Sequence, residues 1–240
     1  MKKIKFLIAI VFIPLLLAFN SDGHKTTNKN DLEIVPAKTV AYVKMIVKDV
    51  TYRKTSEQTD WDLAKSGSLL SDGGEVKTGT KSLALVHFVD GSGLLRVREN
   101  SVLHIYGTKK EKSMDKNTIV DKGLIGFEVK KQAPDEDFKF TTPTVVASIR
   151  GTDGFLEYSE DSTFTMYLGS GSVGLYSKSD CDSVDAGNTI VIRSNGQCIS
   201  RLGTTEDISK NNAANQTTIK KIKIKTNKGE VNIEYYGPGN

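Results

Sequence analysis

Between Thr39 and Leu202 the apolar residues never keep a helical period for more than two turns; they alternate in short runs cut by turn residues. The clearest run sets Leu83, Leu85, His87 and Val89 on one side and Ala84, Val86 and Phe88 on the other. Both sides are apolar, the pattern of a central strand covered on both faces or leading into a sandwich core. Asp90-Gly91-Ser92-Gly93 is an Asp-Gly type turn, Leu94 to Glu99 the return strand, and Asn100-Ser101 turns again into Val102 to Tyr106. Further strands are predicted at Val40 to Val47, Val50 to Arg53, Thr118 to Val120, Gly126 to Lys130, Phe138 to Thr142, Val145 to Ile149, Phe155 to Tyr158, Ser162 to Leu168 and Ser172 to Ser177. Thr189 to Arg193 and Gln197 to Ser200 form a hairpin across Asn195-Gly196. Thr108 to Asn117 reads as a charged loop, and the single tryptophan, Trp61, as a cover over one end of the core. The expectation is an all-β fold: an antiparallel jelly roll, β-sandwich or roll.

The ends of the chain read differently. Lys2, Lys3 and Lys5 precede an apolar run from Phe6 to Phe19, a basic region and hydrophobic region of signal-peptide length. Residues 1–20 are therefore read as a signal peptide and residues 21–38 as a flexible polar leader. No cysteine follows the run, so a lipoprotein-type anchor is not indicated. The protein is expected to be exported, periplasmic or extracellular, with membrane contact only if the signal is uncleaved. Without the three signal lysines the formal charge falls from +4 to +1, which removes the electrostatic motive for nucleic-acid binding. Cys181 and Cys198 form an even pair, which in an oxidising compartment invites a disulfide; the alternative is two separate buried thiols.

After the main body (39–202), residues 203–218 are rich in Thr, Asn, Ser and Lys and read as a linker. Residues 219–240 read as a C-terminal β-hairpin. Ile222, Ile224 and Thr226 alternate with Lys221, Lys223 and Lys225, and Val231, Ile233 and Tyr235 with Asn232 and Glu234. One apolar and one charged face mean that the hairpin docks on something.

Chemistry is scarce. Arg150-Gly151-Thr152 joins two strands at a corner where glycine relieves the backbone and the Arg150 fork is suited to tying carbonyls or a carboxylate. His24 lies in the leader, while His87 and His104 lie in strands and read as packed or hydrogen-bonded residues. No serine sits in a Gly-x-Ser-x-Gly elbow, and Gly169-Ser170-Gly171-Ser172 lacks the lysine and helix of a phosphate loop. Asp180, Asp182 and Asp185 could hold Ca²⁺, but their spacing fits no standard loop and a solvated acidic turn is the better reading. No catalytic, cofactor-binding or metal-ligating residue is assigned, and no enzyme activity is expected. A carbohydrate-binding or carbohydrate-active jelly roll is the alternative, with Tyr158, Tyr167 and Tyr176 as candidate sugar platforms.

Several of these pieces, in order, resemble the FecR domain. Val43 to Arg53 resembles its opening strand pair, Trp61 and Gly67 its usual tryptophan and glycine, and Gly74 to Gly79 the stretch before the central strands. Phe88-Val89-Asp90-Gly91-Ser92 looks like its DGS turn, and Asn100 to Ile105 like the following step. Phe138 to Pro143 followed by Arg150-Gly151-Thr152 looks like the T-P and V-R-G-T core; Leu168 to Leu175 and Ala186-Gly187 complete the order. The resemblance implies a β-rich fold without enzymatic activity, acting in protein interaction, signalling or scaffolding in the bacterial cell envelope. Its partner would be an unidentified envelope protein. Membrane members of the family pair the domain with a cytoplasmic segment that controls a sigma factor. Here the N-terminus runs straight into the apolar run, so no sigma-factor contact is expected.

Overall fold

The computed structural model describes residues 39–111, 113–178, 181–226 and 229–237. The signal-like segment (1–20), the leader (21–38) and Asp180 lie outside them. In chain order the first strands are β1 (Thr39–Val47), β2 (Val50–Arg53), β3 (Asp62–Leu63), β4 (Ser68–Ser71), β5 (Gly74–Thr78) and β6 (Leu83–Phe88). Then come β7 (Gly93–Val97), β8 (Val102–Lys109), β9 (Met114–Val129), β10 (Phe138–Thr141), β11 (Val145–Ile149) and β12 (Thr152–Tyr158). The remainder are β13 (Phe164–Ser170), β14 (Ser172–Ser177), β15 (Ser183–Asp185), β16 (Asn188–Ile192) and β17 (Cys198–Leu202), then helix α1 (Thr205–Asn215), β18 (Thr218–Thr226) and β19 (Gly229–Gly237).

Among the described residues the fold is all-β apart from α1. A first sheet runs β4-β1-β6-β7-β9-β12-β13-β16-β17 and a second β3-β2-β5-β8-β9-β10-β11-β14-β15. Every pairing within them is antiparallel except β9 with β10. Strand β9 belongs to both sheets. Met114 to Lys122 lies between β8 and β10, and Gly123 to Val129 between β12 and β7. At the crossing Gly123 has φ +106°, and a Cβ there would lie 2.6 Å from the Ser101 Cα. Only glycine tolerates that backbone and that approach.

The sequence splits this strand into a charged loop and two short strands, because Asp121-Lys122-Gly123 has turn composition. In the structure the glycine bends one sixteen-residue strand instead.

Aromatic side chains join the layers. Phe88 of β6 meets Phe138 of β10 edge-on at 5.0 Å, and Phe127 of β9 meets Phe140 at 5.1 Å. All four are almost fully buried, each contributing about 1.5–3 kcal/mol of apolar burial. Cys181 and Cys198 are disulfide-bonded.

Most of residues 203–218, read from sequence as a linker, form α1. Its polar sequence hides an N-terminal capping box. Asp207 N donates to Thr204 Oγ1 (3.2 Å) and Thr204 N to Asp207 Oδ2 (2.8 Å). Burial would raise the Asp207 carboxyl, but bonds from Arg201 and Thr204 outweigh it and hold that group well below the usual range.

At the other end Arg98, just after β7, donates to the carbonyls of Ala213, Ala214 and Gln216, and Arg96 Nε donates to Thr217 Oγ1 at 3.2 Å. Burial, with neighbouring Arg96, pushes the Arg98 pKa down to about 10. Beneath the helix, Ala214 packs with Phe155, Tyr167 and Leu124. A helix this short and polar is marginal by itself, so these grips hold it. Arg98→Ala is expected to raise amide exchange across 205–217 at least tenfold while the exchange of β6 and β12 stays unchanged. Unchanged helix protection would show that the clamp is dispensable.

Strands β18 and β19 pair with each other in a separate two-stranded sheet.

Candidate interaction surface

The corner signatures have structural explanations. Asp90, in the turn after β6, accepts from Ser92 N (2.9 Å) and Ser92 Oγ (2.6 Å) through Oδ1. Its Oδ2 meets Lys116 Nζ at 2.5 Å, and the Lys116 side chain is fully buried. The Asp-Gly-Ser turn therefore supplies the counter-charge for a lysine inside the sandwich, a partnership that strand alternation alone does not reveal. Gly151 turns the β11–β12 corner with φ +74°, and Thr152 is buried. The Arg150 side chain is exposed, and among the described residues it has no hydrogen bond or ion pair that would tie the corner. The tight backbone turn and the β11 and β12 pairings hold the corner without it.

Trp61 does not cover the core end. It is half-buried outside the core cluster, with the Arg53 guanidinium 4.5 Å and the Lys77 ammonium 5.8 Å from its ring centre. Its indole is held by cations on the outer side of the second sheet.

Those cations open a connected polar chain. Arg53 Nη1 meets Glu75 Oε2 at 3.3 Å, His104 Nδ1 meets Glu75 Oε1 at 3.4 Å, and His104 Nε2 meets Asp121 Oδ2 at 2.7 Å. These residues come from β2, β5, β8 and β9. His104 is hydrogen-bonded within this network, whereas His87 lies on the first sheet, where burial and the nearby Lys44 and Arg96 lower its pKa.

From Glu75 and His104 the register carries one row across the second sheet. His104 stands opposite Ile119, Ile119 opposite Thr141, Thr141 opposite Val146, and Val146 opposite Tyr176. Ile119, Thr141 and Val146 are half-buried, and Tyr176 is 68 % exposed. This face is therefore charged and aromatic at the β2–β8 side and apolar toward Tyr176. Helix α1 lies on the other sheet, over Phe155 and Tyr167. Of the three tyrosines considered as sugar platforms, Tyr158 and Tyr167 are buried, so they cannot share an open face with Tyr176.

A cleft of about 640 Å³ opens at the sandwich end near Lys48, Lys81, Asn100, Gly123 and Tyr158. Its lining contains no histidine or cysteine; of its acidic residues, Glu99 accepts from Lys81 N, and Glu157 and Glu160 are bonded to Lys210 and Lys122. No base–nucleophile pair is assembled there.

The family model described as FecR protein matches residues 74–174. Residues 74–174 are thus similar to the FecR domain. Among solved structures, two crystal structures of a candidate anti-sigma factor from Parabacteroides distasonis ATCC 8503 are similar, both at 14 % identity, with TM-scores of 0.49 and 0.48. Each comparison covers 56 % of this chain and 62 % of the other, so this chain spans less than two thirds of those relatives. No curated protein matches it.

The FecR segment contains Glu75, His104, Ile119, Thr141 and Val146. Sequence reasoning missed Arg53, Glu75, Asp121 and Lys116. The available signal was charge at alternating positions in otherwise β-branched runs, which marks a face without saying which strands bring the charges together.

Proposed function

We propose that this FecR-domain protein is an exported, non-enzymatic interaction module of the bacterial cell envelope, acting in signalling through the outer face of its second sheet. The observation that carries the reading is that the FecR segment holds nearly all of the row from Glu75 to Tyr176, on a face with charged, aromatic and apolar sectors. Such a mixture suits a protein partner: an apolar and aromatic anchor ringed by polar contacts. The Cys181–Cys198 bridge favours an oxidising compartment, in keeping with export. The partner is a second envelope protein.

A photo-crosslinking amino acid placed at Ile119, Val146 or Tyr176 in living cells should give one discrete adduct, and the same probe at Thr165 of the first sheet should not. Val146→Arg, on the half-buried outer row, should abolish the Tyr176 adduct while shifting the melting temperature by no more than 2 °C or so, as expected for a surface change. Adducts from Thr165 alone, or a Tyr176 adduct indifferent to Val146→Arg, would reject this face.

A further inference from the structure

We propose that the β18–β19 hairpin is a membrane-surface element that lies on anionic phospholipid, independently of the protein-binding face. A two-stranded ribbon has no second layer of its own and is marginal in water. Its register sets Ile222 opposite Ile233 and Ile224 opposite Val231, placing four β-branched residues on one face. Ile224 and Val231 are 43 % and 48 % exposed, so this apolar row faces solvent at least in part.

Lys221, Lys223 and Lys225 occupy the alternate positions of β18, and Lys220 stands opposite Tyr235. The two strands carry four lysines against two glutamates, Glu230 and Glu234, and Lys223 uses one of them at 3.3 Å. The ribbon is therefore cationic overall and amphipathic. Tyr235 and Tyr236 lie near the end of β19, paired with the start of β18, and tyrosine is a residue type favoured at membrane–water boundaries.

Charge complementarity selects the occupant. A second copy stacked on the apolar row would leave the lysines at the alternate positions with no added counter-charge. An acidic protein could neutralise the lysine side but would leave the isoleucine row in water. An anionic lipid surface serves both sides at once. The apolar row sinks to the acyl boundary, roughly 5–10 Å into the interface, where phosphate groups surround the lysines. Helix α1, fixed by Arg98 at one end and by its capping box at the other, would then hold the FecR domain at a set distance above the lipid.

The test is vesicle flotation of the chain from Thr39 onward, whose residues 39–202 close their own core. Neutral phosphatidylcholine vesicles are compared, at moderate salt, with vesicles containing roughly 30 % phosphatidylglycerol. Binding to the anionic vesicles should exceed binding to the neutral ones by at least tenfold and decline in high salt. Ile224→Ser with Val231→Ser, or Lys223→Gln with Lys225→Gln, should each cut it at least fivefold without moving the melting temperature. Equal binding to both vesicle types, no binding, or binding unaffected by either pair overturns the proposal. So does a lipid-free dimer, seen by light scattering, that the serine pair dissolves; that result would assign the row to a second copy.

Discussion

Asp90→Ala is expected to lower the unfolding free energy by about 3–5 kcal/mol, the usual consequence of leaving a buried charge uncompensated. The residue left behind is Lys116, whose side chain is fully buried and whose Nζ lies 2.5 Å from Asp90 Oδ2. In a chain of this size the melting temperature should fall by roughly 10 °C. Asp90→Asn separates charge from turn geometry, since its side-chain oxygen can still accept from Ser92 N; it should retain most of the loss. Adding Lys116→Met to Asp90→Asn should recover much of it, because an apolar side chain removes the stranded charge. A loss below about 1 kcal/mol in Asp90→Asn would contradict this account of the turn.

The same pair sets an acid limit. Burial would raise the Asp90 carboxyl, but hydrogen bonds from Lys116 and Ser92 outweigh it and leave its pKa below the ordinary value. A carboxyl held low in the folded state adds stability above its unfolded pKa and loses that stability as pH falls through the folded one. Thermal unfolding should therefore show a loss below about pH 4 that is shallower in Asp90→Asn.

The second large effect is expected at Gly123. Gly123→Val puts a branched side chain at φ +106°, where even a Cβ meets Ser101 Oγ and lies 2.6 Å from its Cα. Backbone strain and overpacking together should amount to about 3–5 kcal/mol, enough to depress the soluble yield. Gly187→Ala is the control. Its φ is +79°, but a Cβ there meets nothing within 4 Å, so strain acts without crowding. Chemical denaturation of Gly123→Ala should show at least twice the loss of Gly187→Ala. Equal losses would mean that the crossing tolerates a side chain and that β9 is not pinned there.

The strand pattern was legible because buried sheets write alternation into the chain. The Leu83 to Phe88 run is nearly all buried, and the turn at Asp90 falls where its composition indicates. Lys116 was not legible, because its acidic partner lies 26 residues away and only the fold brings them together. Helix α1 was hidden for a different reason. Its stability resides in Arg96, Arg98 and Arg201, which lie in or beside strands, and within the helix only Asp207 and Ala214 are buried. The Thr204-x-x-Asp207 box was the one local clue. At the Arg150 corner a side chain rich in donors invites an internal role, while strand pairing on both sides already fixes the backbone. The Trp61 face needed β2 and β5 in register before its two cations could be seen around one ring.

Because β9 is woven into both layers, neither sheet can slide past the other without dragging a shared thread. Asp121, whose carboxylate meets His104, and Leu124, which packs with Phe155, Tyr167 and Ala214, are only three residues apart on that thread. A load applied at the His104 face of the second sheet therefore reaches the floor beneath the helix through a few peptide bonds, across no loop. From there the Arg98 grip carries it to the root of the C-terminal arm. The two outward-looking parts of the molecule share one mooring line.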